Sequence, residues 1–102
     1  MKAKDIIISQ IYLNKVNYKR PCVILNVSNT HLTIGLISSA FDLYDPHNDF
    51  FISQNHTNFK ETGLTKTSYI LGRNFPEIEF ACVIKQIGII SGSMADDLEK
   101  WL

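Results

Sequence analysis

The sequence predicts a mainly β protein: a compact, curled antiparallel sheet or small barrel with one helix late in the chain. Two observations carry this. Ile, Val and Thr number 24 among 102 residues, against four Ala. Their branched side chains are stiff at χ1 and fit a pleated sheet better than a helix. Six or so short runs of strand character are separated by polar, turn-competent residues, with a single helical stripe at the end. Strands that follow one another closely through short turns favour an antiparallel arrangement. The length suits one domain over residues 1–102, and with 45% hydrophobic residues the chain can bury a core.

Asp5–Leu13 reads as a strand, with Ile6, Ile8 and Gln10 on one face and Ile7, Ser9 and Ile11 on the other. Residues 14–19 read as a polar loop, because two Asn and two Lys replace the apolar alternation. Pro21 then opens a strand, where its missing N–H is tolerated. Cys22–Val27 is nearly continuous in apolar residues and looks covered on both faces. Ser28, Asn29 and Thr30 make a tight hairpin turn into the strand Leu32–Ile37. Gly35 inside that strand marks a bulge or a close backbone approach.

Residues 42–49 form a loop, Phe50–Ser53 a short strand, and Thr62-Gly63-Leu64 a turn. Ser68–Leu71 is a strand that Pro76 limits. Ile78–Ile84 fits both strand and helical periods, and Lys85–Ile90 is a strand. Met94, Leu98 and Trp101 then fall on one helical stripe. Ser91 or Ser93 is the expected cap, with Asp96 and Asp97 in the first turn. Such a short helix must dock on something to persist in water.

The net charge of zero hides a division. Residues 1–39 hold five basic side chains and one acid, and residues 40–102 hold five basic and nine acidic ones. An element that faces an anion is therefore sought in the first part of the chain. No apolar run approaches the length of a membrane span, and no cleavage site follows the N-terminal apolar stretch. Cys22 and Cys82 lack a metal-binding spacing and read as free thiols, which suits the cytoplasm. His47 among Asp42, Asp45 and Asp49 reads as a solvated loop rather than a cation site, so no metal is expected.

Lys15, Asn17, Tyr18 and Lys19 form a basic, aromatic stretch of the kind that binds single-stranded nucleic acid. Arg20 is the most pointed of these cations. Pro21 fixes the adjoining backbone, and a planar guanidinium suits a phosphate or a developing phosphorane. Ser38 and Ser39 end a strand with hydroxyls able to hold a phosphate oxygen.

These features, in this order, resemble the PemK/MazF family of toxin-antitoxin endoribonucleases. The similar segments are Lys4-Asp5-Ile6-Ile7-Ile8, Arg20-Pro21-Cys22-Val23-Ile24-Leu25, and Ile34-Gly35-Leu36-Ile37-Ser38-Ser39. They continue with the stretch from Thr62-Gly63-Leu64 to Tyr69-Ile70, and then with Lys85-Gln86-Ile87-Gly88, Ile90-Ser91 and Met94. The resemblance implies a small SH3-like twisted antiparallel barrel with a C-terminal α-helix, usually a homodimer. It also implies metal-independent cleavage of single-stranded RNA without a cofactor. In that chemistry the 2′-hydroxyl attacks the adjacent phosphate to leave a 2′,3′-cyclic phosphate and a 5′-hydroxyl. By the same resemblance the catalytic arginine falls on Arg20, as electrostatic stabiliser and acid, and its supporting hydroxyl on Ser38. RNA binding falls to the Lys15–Lys19 stretch, the general base stays unassigned, and a small antitoxin protein is the expected partner. The stretch before Arg20 is shorter than the family's loop and lacks its Ser and Gln. The other reading is a non-catalytic module of the same barrel that binds RNA, or binds a protein target as gyrase poisons do, with Trp101 as the anchor.

Overall fold

Three long strands build the centre of the molecule: β1 (Asp5–Leu13), β2 (Val16–Val27) and β3 (His31–Ser38). The computed structural model describes residues 1–102. Short strands follow at β4 (Phe50–Ile52), β5 (Ser68–Ile70) and β6 (Glu77–Glu79), then β7 (Val83–Ile89) and the helix α1 (Gly92–Trp101). The strand order is β4-β5-β3-β2-β1-β7, with β6 also paired to β3, and every pairing is antiparallel. The sheet curls into a half-barrel, and the mainly β fold with a C-terminal helix is the one the composition predicts.

Curling buries both faces of the central strands, which explains the imperfect alternation in β1. Ile6 and Ile7 point to opposite faces, and both are fully buried. On one side Ile6, Val23 and Ile37 pack with Ile70, Met94 and Leu98. On the other, Ile7, Cys22, Ile24, Leu32, Ile34 and Ile78 form a second cluster. A strand covered on both faces has no polar face to show.

The stretch 14–19 is not a loop. Asn14 and Lys15 take positive φ angles of 49° and 64° and close a two-residue hairpin turn, so that Leu13 pairs with Val16. Two successive left-handed residues define the turn whose twist matches that of the flanking strands. The hairpin projects beyond its neighbours: β7 leaves β1 at Ser9, and β3 reaches β2 only from Cys22 onward. Residues 12–19 of the ribbon are exposed, with Ile11 the buried residue at its base, so no core-facing pattern marks residues 14–19 as strand. Pro21 therefore lies inside β2, at the point where β2 leaves its β3 partner, which is where a strand tolerates a missing donor.

Gly35 is a close-approach position: a Cβ there would stand 2.6 Å from Ile70 Cγ2. The register shift lies one residue further along, on β2 between Ile24 and Asn26, across from Ile34 and Thr33. The ambiguous stretch before β7 resolves into β6 followed by a 3₁₀ turn over Phe80–Cys82.

α1 begins at Gly92, directly after the extended Ser91, so its first turn holds no acid and Asp96 and Asp97 fall in the second. Of the two candidate caps, the helix uses Ser91. Ser91 holds the N-cap position without a side-chain bond, and Ser93 Oγ turns to Asn58 Oδ1 at 3.3 Å. Burial of Met94 and Leu98 anchors the helix. Trp101 completes the stripe. Its indole N–H donates to the Asn48 carbonyl at 3.0 Å, and its ring packs on Phe50 and Phe75.

Candidate functional site

The register of β2 on β3 brings Arg20 and Ser38 together. Cys22 pairs with Leu36 and Val23 with Gly35. Past the Cys22–Leu36 pair the Arg20 guanidinium still crosses to the carbonyl of Ile37, the residue next to Ser38. On its other edge Ser38 pairs with Tyr69 of β5. Two side chains 18 positions apart in sequence thus stand side by side on adjacent strands.

Each is held by short-range bonding. The Arg20 guanidinium donates through Nη2 to the Ile37 carbonyl at 3.4 Å, and no carboxylate pairs with it. Ser38 Oγ accepts from the Ala40 amide at 3.1 Å, so its own proton remains free to donate. The Tyr69 hydroxyl donates to the Ala40 carbonyl at 2.7 Å, and its ring lies 5.0 Å from that of Phe41 and 5.1 Å from that of Tyr44. The turn after β3 is thereby fixed over an aromatic cluster that the sequence pattern did not reveal.

Arg20 and Ser38 line two adjoining open depressions. The first, about 390 Å³, is walled by Leu64, Thr65 and Lys66. The second, about 430 Å³, carries Asp42, Asp49, Tyr69 and Arg73. The wall of the first is placed by close backbone contact. Gly63 takes a φ of 73°, and a Cβ on it would collide with the Ile87 carbonyl, while a Cβ on Gly88 would collide with the backbone of Glu61 and Thr62. Two glycines therefore let the turn at residues 60–63 rest directly on β7, and the Leu64–Lys66 segment leaves it over Arg20.

The other proposed RNA-binding residues lie elsewhere. Lys15, Asn17, Tyr18 and Lys19 are exposed along the projecting hairpin, and none lines either depression. Tyr18 shares the strand face of Arg20, whereas Asn17 and Lys19 are on the opposite face. Lys66, Thr65 and Arg73 do line the depressions. Nothing in the local sequence singles them out, because their placement depends on how distant turns pack.

The acidic loop is internally bonded. Asp49 Oδ1 accepts from the Gly72 amide and Oδ2 from the Asp45 amide, each at 2.9 Å. Asp45 is held below the usual carboxylate range by the His47 amide, then by the Asn48 side chain and Arg73. No cluster of three or more His, Cys, Asp and Glu side chains fit to hold a metal ion is present.

Beneath Arg20, Cys22 is buried and its thiol is pushed up to about 12 by desolvation, with Arg20 opposing. The unfolded thiol titrates near 9. The folded state therefore keeps a proton that the unfolded state loses, and stability falls as pH rises from about 9 toward 12. At pH 8 in the native protein, Cys82, which is half-buried, is expected to alkylate well before Cys22. Mass spectrometry of timed iodoacetamide samples checks this, and equal labelling of both would overturn it.

No family model matches the chain, and no curated protein does. The site therefore rests on its own geometry. No helix is long and apolar enough to cross a membrane.

Proposed function

We propose that the protein is the toxin of a toxin-antitoxin pair, an endoribonuclease that cleaves single-stranded RNA without a metal. The observation that supports this reading best is the placement of an unpaired guanidinium beside a hydroxyl with a free proton, at the junction of two open depressions.

In this reading the RNA 2′-oxygen attacks phosphorus as the bond to the 5′-oxygen breaks. The 2′-hydroxyl loses its proton, and the leaving oxygen gains one. Negative charge grows on the nonbridging oxygens. Arg20 meets that charge with a fixed cation, and Ser38 donates its hydroxyl proton to one of the same oxygens. A half-buried setting strengthens both interactions relative to water. The products carry a 2′,3′-cyclic phosphate and a 5′-hydroxyl. A cleft that attracts phosphates also attracts an acidic peptide, which suits a small antitoxin. The working form is a cytoplasmic homodimer.

The test is end mapping on a long unstructured RNA in EDTA. Expected are discrete cuts whose 5′ ends accept phosphate from a polynucleotide kinase without prior phosphatase treatment. Cleavage that appears only on adding a divalent metal would overturn the reading, as would RNA binding with no cleavage product.

The gyrase-poison alternative needs Trp101 free to anchor a partner. Its ring and indole N–H are already engaged with Phe50, Phe75 and Asn48, so nothing in the fold favours that reading.

A further inference from the structure

The two sides of the Arg20–Ser38 junction differ in charge. On one side, Asp42 and Asp49 line the depression, and the cation there, Arg73, is tied to Asp45 at 3.3 Å. On the other side, the depression walled by Leu64 and Thr65 shares Pro21, Leu64 and Thr65 with a third one of about 310 Å³ that Lys85 also lines. No acid lines either of these two hollows. Their three cations, Arg20, Lys66 and Lys85, have no carboxylate partner. Between Lys66 and Lys85 the surface is largely apolar, formed by Ile8, Pro21, Leu64 and Ile87.

A path with cations at intervals, an apolar floor and no acid suits a chain of phosphates whose sugars and bases lie against carbon. The acid-bearing side repels the same backbone. We infer that the RNA strand leaves the Arg20–Ser38 site in one direction only, across Leu64–Thr65 toward Lys85, with successive phosphates held by Lys66 and Lys85. This rests on the RNA-cleavage reading and gives it a direction and two binding residues. It also meets the difficulty of a neutral protein binding a polyanion. The affinity comes from a short local track rather than from the net charge, which is zero.

The test measures binding by fluorescence anisotropy on an RNA oligonucleotide carrying one 2′-deoxy residue at the mapped cleavage position, which blocks the attack. Lys66→Glu and Lys85→Glu are each expected to weaken binding about tenfold, and to lower the slope of log affinity against log salt by about 0.7. Lys100→Glu, on the exposed face of α1, should bind as wild type after its charge change is allowed for. Lys85→Ala, a milder change, should show a smaller loss in the same direction. If Lys85→Glu binds no worse than Lys100→Glu while Arg20→Ala still abolishes cleavage, the track is wrong and the nuclease reading stands. If the wild type neither binds nor cleaves RNA, both fail.

Discussion

Arg20→Ala is expected to lose about 10²–10³-fold in RNA cleavage at saturating substrate while keeping its fold. The magnitude is that of removing one preorganised donor from a developing oxyanion. The fold should survive because the side chain is half-buried and its single bond within the protein is a 3.4 Å contact to the Ile37 carbonyl. Thermal unfolding should therefore shift by no more than about 1 kcal/mol of stability, the net worth of an ordinary hydrogen bond. Arg20→Lys separates charge from shape. It restores a cation but not the planar fork, so it should recover part of the rate and not all of it. Cleavage that persists unchanged in Arg20→Ala would remove the guanidinium from the chemistry and, with it, the proposed mechanism. A variant that is inactive because it is unfolded would show itself in the circular dichroism spectrum.

Gly63→Ala is expected to destabilise the protein by about 3 kcal/mol. The left-handed backbone at this residue costs an L side chain roughly 1–2 kcal/mol. Forcing an added carbon into a packed contact costs about 1–3 kcal/mol more. Here the obstacle is the Ile87 carbonyl, a backbone atom of β7 that cannot rotate aside. Urea unfolding midpoints measure the loss, and Gly88→Ala divides its causes. That residue sits against the backbone of Glu61 and Thr62 without a left-handed φ, so it carries the collision alone. RNA binding should weaken in Gly63→Ala as well, because Leu64, Thr65 and Lys66 leave this turn to form the cleft wall. A Gly63→Ala protein within about 0.5 kcal/mol of wild type, a shift typical of ordinary surface substitutions, would show that the turn yields easily and does not place the wall.

The segments that were legible in the sequence are those with strong local signals. β1 and β3 show as β-branched runs, the turn at residues 28–30 as a polar break between β2 and β3, and the helix as the Met94–Leu98–Trp101 stripe. The hairpin turn at Asn14–Lys15 was not, because residues 14–19 are all exposed and no core-facing pattern marks them. The helix start stays open between Ser91 and Ser93 in the sequence for a related reason, and the acids at Asp96 and Asp97 fall one turn later than expected. A serine can cap from several positions, and only the extended backbone of Ser91 decides which residue comes first.

The candidate site divides in the same way. Arg20 and Ser38 stand out by residue type and by their neighbours, since a guanidinium beside Pro21 and a hydroxyl at a strand end are local facts. That they line the same two depressions is a matter of register, and a slip of one residue would send them to opposite faces of the sheet. Lys66 and Lys85 lie within segments quoted for the resemblance, yet nothing local marks either as lining the cleft. They join the cleft because the turn at residues 60–63 rests on β7 through Gly63 and Gly88.

The sequence by itself determined the class of fold and the chemistry of two side chains, because composition and hydrophobic period act over a few residues. The tertiary structure alone decided which side chains meet and where the charge lies. Contacts between residues tens of positions apart depend on strand register and on how turns pack, and neither is written in any single stretch of chain.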